Sequence, residues 1–95
     1  MNFNEVYQNQ DLKIIDVRES FEYSMGHVGG AFHFPLSRFG EYMSRLEEMT
    51  GPKVFYCQSG NRSGQAVAFL KSKGFKDVYN GVNASEVKTH LAKAA

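Results

Sequence analysis

Lys53-Val54-Phe55-Tyr56-Cys57-Gln58-Ser59-Gly60-Asn61-Arg62-Ser63-Gly64 is the stretch from which the rest of this chain is read. Lys53 to Tyr56 is short, apolar and aromatic, as a buried strand is. From Gln65 to Lys73 the residues Ala66, Val67, Phe69 and Leu70 recur at helical spacing. The only cysteine therefore falls where a strand ends and a helix begins. A tight loop at such a junction turns free backbone N–H groups inward, and the helix that follows adds the positive end of its macrodipole. The pattern predicts an anion cradle with a sulfur at its base. Cys57 is then the nucleophile, with Arg62 close by in the loop. Amides, helix dipole and Arg62 together are expected to bring the thiol from ~8.5 into the range of roughly 3.5 to 7.5 found at such sites. The competing reading is a small buried hydrophobe. A packing cysteine, however, does not need Ser-Gly-Asn-Arg-Ser close behind it.

The composition narrows the setting. Ninety-five residues are read as one domain, 1–95, with enough chain for a single core. One cysteine forms no internal disulfide. Neither a charged-then-apolar leader over residues 1–10 nor an apolar run near ~20 residues is seen, so the expectation is a cytoplasmic protein with no membrane partner. Eleven basic and ten acidic residues are scattered without a basic stripe, which gives no footprint for nucleic acid.

Phe3, Val6 and Tyr7 have the i, i+3, i+4 spacing of a short opening helix. Ile14, Ile15 and Val17 make a strand over Lys13 to Val17, and Asp16 and Arg18 mark its end. Ser20 to Met25 reads as one or two helical turns closed by Gly26, and Ala31 to Phe34 as a second strand ended by Pro35. Leu36, Phe39, Met43 and Leu46 share one face, predicting a surface helix over Ser37 to Glu48. Gly74 is placed as the cap of the helix that follows the cysteine, and Asp77 to Tyr79 as a fourth strand. Ser85 is placed as the cap of a final helix with Val87 and Leu91 inward. Strands alternating with helices predict an α/β fold, a small central parallel sheet with helices on both faces. Ligands bind such sheets beyond the carboxyl ends of the strands, where Cys57, Asp16 and Arg18 all fall.

Two segments taken together resemble the rhodanese family of sulfurtransferases. Asp16-Val17-Arg18-Glu19-Ser20-Phe21-Glu22-Tyr23-Ser24-Met25-Gly26-His27-Val28-Gly29-Gly30-Ala31-Phe32-His33-Phe34-Pro35 is similar to that family's amino-terminal signature. Tyr56-Cys57-Gln58-Ser59-Gly60-Asn61-Arg62-Ser63, continuing through Ala66, Leu70, Gly74-Phe75 and Val78, is similar to its active-site loop and helix. The resemblance implies a rhodanese-like domain in which Cys57 accepts a sulfur as a persulfide and residues 58–63 cradle it. It also implies that Asp16 and Arg18 support that loop and that His27 is structural. The residues themselves agree on His27: after Gly26 it is better placed to bond loop backbone than to abstract a proton. The isolated His33 and His90 have no pattern for a metal. Where related chains carry a Gly-Gly pair followed by an aromatic, this one has Asn80-Gly81-Val82-Asn83-Ala84, a departure that bears on the pocket rim more than on the chemistry.

The implied activity is transfer of a sulfane sulfur from thiosulfate or a similar small-molecule donor, through Cys57, to cyanide or a thiol. Arg62 and Ser63 hold the departing oxyanion, and no cofactor is called for. With no second cysteine the acceptor is external, and a protein acceptor in a sulfur relay is an alternative, as is a binding module without turnover. Cysteine phosphatases with a similar loop space the cysteine and arginine one residue further apart and need a general acid, for which Asp16 is the best-placed candidate. An arsenate reductase usually needs a resolving thiol, which this chain lacks.

Overall fold

A computed structural model describes residues 2–95. In order along the chain are α1 (Phe3–Gln8), β1 (Lys13–Asp16), α2 (Ser20–Ser24), β2 (Phe32–His33), a 3₁₀ segment (Leu36–Tyr42), α3 (Met43–Glu48), β3 (Lys53–Cys57), α4 (Asn61–Ser72), β4 (Val78–Asn83) and α5 (Ala84–Ala94). The four strands form one parallel sheet in the order β2-β1-β3-β4, so the expected fold class holds.

Side-chain alternation along the strands builds two cores. Ile15, Phe55 and Cys57 point to one face, where the 3₁₀ segment, α3 and α4 bring Phe39, Leu46, Ala66 and Leu70. Ile14, Val54 and Tyr56 point to the other, where α1 and α5 bring Val6, Tyr7 and Val87. β3 is buried at every position, because both its faces are covered and both its edges are paired. Each large apolar side chain removed from water here, such as Ile15 or Phe55, contributes roughly 1.5–3 kcal/mol.

Several boundaries differ from the sequence reading. The run expected as one helix from Ser37 begins as a 3₁₀ segment in which Arg38 leaves helical geometry (φ −126°, ψ 23°), and the α-helix starts only at Met43. Gly40 lowers helix preference in mid-run by about 1 kcal/mol relative to Ala. The burial of Phe39 edge-on to Phe55, with ring centroids 6.2 Å apart, sets the winding instead. β2 is only Phe32–His33, although Phe34 still donates its N–H to the Asp16 carbonyl. β4 runs to Asn83 rather than Tyr79 and carries a bulge: Phe55 lies opposite Asn80, and Tyr56 lies opposite Val82. The last helix is consequently capped by Asn83, whose side chain accepts the Glu86 N–H at 2.8 Å, and not by Ser85.

The bulge brings the β4 backbone hard against its neighbours at Gly81. A Cβ there would lie 2.6 Å from Val54 Cγ1 and 2.8 Å from Val87 Cγ2. Gly81→Ala should therefore cost about 1–3 kcal/mol as overpacking. It should lower the urea midpoint at an unchanged slope. A midpoint at or above wild type would show that this contact is slack.

Candidate active site

The carboxyl ends of β1 and β3 lie side by side, with Asp16 opposite Tyr56. β2 flanks β1 on one side and β3 flanks it on the other, so this edge is the point at which strand order reverses and an open parallel sheet leaves a crevice. Cys57 ends β3, and three residues, 58–60, carry the chain into α4. The turn is possible because Gly60 takes a left-handed conformation (φ 93°, ψ −8°). Space is tight as well, since a Cβ there would meet Val82 Cγ1 at 3.2 Å.

Gly60 occupies the N-cap position of α4 but has no side chain to bond the free amides of the first turn. The cysteine sulfur takes over part of this role. Cys57 Sγ accepts the N–H of Gly60 at 3.1 Å and that of Ser63 at 3.4 Å, and the Ser63 hydroxyl lies 3.4 Å away. Cys57 and Ser63 are buried, at 1% and 0% exposure. Burial alone pushes the thiol up. The Ser63 hydroxyl and the amides of Ser63, Ser59 and Gly60 outweigh it, so its pKa is held below the ordinary thiol value. Gln58, Ser59 and Asn61, expected around the bound group, have exposed side chains, so what Ser59 and Gly60 bring to the sulfur is backbone.

Arg62 is not a free cation. Its guanidinium makes a two-pronged pair with Glu22 of α2, Nη1 to Oε1 at 2.7 Å and Nη2 to Oε2 at 2.9 Å. Glu22 Oε1 also accepts the Glu19 N–H, closing a capping box at the start of α2. Asp16 and Arg18 do not brace residues 58–63 by hydrogen bonds of their own. The Arg18 guanidinium bonds both carboxylate oxygens of Asp16 and donates to the Gly26 carbonyl at 2.8 Å, pinning the turn after α2. Only Val17 separates the pair, so it closes locally, and it reaches toward the cradle through the Tyr56 ring beneath the Arg18 guanidinium. His27 bonds the Tyr23 carbonyl through Nδ1, and His33 bonds the Arg18 carbonyl through Nε2.

Two residues at the site were not singled out from sequence. Glu22 is one; its visible signal was a carboxylate three positions after Glu19 at a helix start. Asn80 is the other. It donates to the Gly60 carbonyl at 3.0 Å and accepts the Ser63 hydroxyl at 2.7 Å. Its signal was the departure noted at Asn80-Gly81.

The rhodanese-like domain family matches residues 2–83. The chain belongs to that family. Among curated relatives of this rhodanese-like chain, a Bacillus subtilis protein provisionally named sulfur carrier protein YrkF is 40% identical over 81% of the chain. Thiosulfate sulfurtransferase GlpE of Pseudomonas fluorescens is 33% identical over 77% of it, and the tRNA uridine(34) hydroxylase of Photorhabdus laumondii 33% over 81%. The chain spans 41%, 66% and 23% of the lengths of these three relatives. Of solved structures, a rhodanese with anions from E. coli superposes with a TM-score of 0.71 at 30% identity, covering 79% of this chain and 89% of that one. A rhodanese-related protein of Thermoplasma volcanium gives 0.66 at 26%, covering 94% and 90%. No helix among the described residues is long and apolar enough to cross a membrane.

The Glu22–Arg62 pair carries a pH signature. Bonding to Arg62 holds Glu22 down at about 2, against an ordinary value of 4.5. A carboxylate with a depressed folded-state pKa stabilises the fold above its unfolded value, and that contribution fades as pH falls through the folded one. Glu22→Gln should thus be less stable than wild type by a constant margin from neutral pH down to about 4.5, and the margin should close as pH falls toward about 2. A margin independent of pH would mean that the pair contributes shape and not charge.

Proposed function

We propose that this chain is a sulfurtransferase that takes a sulfane sulfur from thiosulfate or a similar donor onto Cys57 and passes it to an external thiophile. The observation that supports the reading best is the convergence of the Gly60 and Ser63 amides on Cys57 Sγ at the start of a 12-residue helix. Such an arrangement favours the thiolate as nucleophile and stabilises anionic sulfur without rearrangement.

In the first displacement the Cys57 thiolate attacks the outer sulfur of thiosulfate. The new S–S bond forms as the donor's own S–S bond breaks, and sulfite leaves with the electron pair. In the second, cyanide or a thiolate attacks the terminal sulfur of the persulfide, and the Cys57 thiolate is regenerated. No proton donor is required at either step, which suits a site whose nearest carboxylates, Asp16 and Glu22, are both committed to arginines. Gln58, Ser59, Gly60, Asn61 and Arg62 form the rim through which donor and acceptor pass, Ser63 lies buried beneath them against the sulfur, and Arg62 contributes positive charge at the rim that Glu22 partly balances. Asp16 and Arg18 act further back, by fixing the turn at Gly26 and the ring of Tyr56. Cys57 has no second thiol beside it among the described residues, so the acceptor is brought to the cradle from outside it, as a small thiol or a protein. The YrkF relative, named a carrier, supports the protein acceptor as a second reading.

The test is cyanide-dependent thiocyanate formation from thiosulfate. Wild type should turn over, Cys57→Ser should be reduced to background, and neither should hydrolyse an aryl phosphate appreciably. Efficient phosphate hydrolysis by wild type, with thiosulfate ignored, would replace sulfur transfer with phosphatase chemistry.

A further inference from the structure

Asn80 lies on the bulged strand β4, outside the 58–63 loop, yet both ends of its amide engage the cradle. Nδ2 donates to the Gly60 carbonyl at 3.0 Å, and Oδ1 accepts the Val82 N–H at 3.0 Å. A carbonyl on one side and an N–H on the other settle which atom is oxygen. Oδ1 is also 2.7 Å from Ser63 Oγ, and an amide oxygen can only accept, so the Ser63 hydroxyl donates to it.

Ser63 has one hydroxyl proton and two neighbours able to take it. Cys57 Sγ lies 3.4 Å from Oγ, and Ser63 is fully buried. While Cys57 is a neutral thiol, S–H can donate to Oγ and Oγ–H to Asn80, and every group is satisfied. Once Cys57 is a thiolate, the sulfur needs donors and Asn80 is a rival for one. Rotation about the Ser63 Cβ–Oγ bond then carries the proton from Oδ1 to Sγ, and Oδ1 keeps the Val82 N–H. No bond to hydrogen is broken in this rotation.

We propose that Asn80 is a positioning residue that competes with Cys57 for the Ser63 hydroxyl proton, and so sets how readily the thiolate forms. The rivalry has an unusual consequence: removing a polar neighbour of the cradle makes the cysteine more acidic. The charged groups near Cys57 are Arg62 on α4 with Glu22 on α2, Glu19 ahead of α2, and the Asp16–Arg18 pair from the end of β1. β4 contributes only the neutral Asn80 and Asn83 at this edge. Those charges are the same in Ser63→Ala and Asn80→Ala, so differences between these variants isolate the hydroxyl; Asn80→Asp adds one charge, whose direct effect is read in the Ser63→Ala background.

The experiment follows thiolate ultraviolet absorbance against pH, with Cys57→Ala as the blank. It uses no sulfur donor and stands or falls apart from the sulfur-transfer reading. Ser63→Ala should raise the midpoint and Asn80→Ala should lower it, each by roughly half to one pH unit, the worth of one neutral hydrogen bond. In the Ser63→Ala background the Asn80→Ala shift should vanish, because no proton is left to contest. Asn80→Asp is a stronger acceptor, so it should raise the midpoint, and by less when Ser63 is absent. A rise with Asn80→Ala, or a shift of equal size in both backgrounds, would overturn the proposal and leave Asn80 as a brace for Gly60. If Asn80→Ala does not fold, the Asn80→Asp pair decides: an equal shift with and without Ser63 overturns the proposal, and a smaller one without Ser63 upholds it.

Discussion

Three residues separate the last position of a buried parallel strand from the first turn of a helix, and the helix they open has no side chain at its cap. Something must accept the first-turn amides, because orphan donors in a buried place cost about 1–3 kcal/mol each. Cys57 Sγ accepts the amide of Ser63, the buried one, together with the N–H of the cap residue Gly60. The constraint spreads outward from there. The short turn requires a left-handed Gly60, and Val82 lies close above it. The bulge that puts Val82 there also sets Asn80 against the Ser63 hydroxyl and delays α5 until Asn83.

This arrangement decides which electrostatic effect dominates. A buried thiol with no partners has a raised pKa; this one is lowered because the Ser63 hydroxyl and backbone amides, not a mobile cation, face it. Arg62, the obvious cation in the loop, is balanced by a two-pronged carboxylate from α2. Backbone amides keep their positions whichever sulfur species they hold, so the environment that favours the thiolate also suits an anionic persulfide. Of the roles expected of Arg62, the lowering of the thiol falls instead to the Ser63 hydroxyl and the amides, and the Glu22–Arg62 pair ties α2 to the rim.

How much of this was legible in the sequence follows from the range of the interactions. The β3 strand and the helix after Cys57 were readable because an apolar run and a 3.6-residue period are local patterns, and the two-faced sheet followed from the alternation of strands and helices. Gly60 could be read as part of a cradle, though not the crowding at its Cα, since that depends on Val82 twenty-two positions later. Glu22 and Arg62 are forty residues apart, and no periodicity links them. Asp16 and Arg18 were rightly placed at a strand end, but two residues apart they satisfy each other before they reach the loop. The extension of β4 was hidden by Asn80-Gly81, which reads as a turn and is a bulge.

The central claim is that a thiolate held by the Gly60 and Ser63 amides accepts and retains a single sulfur. Intact-mass analysis of protein mixed with thiosulfate and freed of excess reagent addresses it most directly. The account predicts a gain of one sulfur atom, carried on the peptide that contains Cys57, absent from Cys57→Ser and lost on addition of cyanide. An unchanged mass for wild type, or a gain that persists in Cys57→Ser, would contradict it.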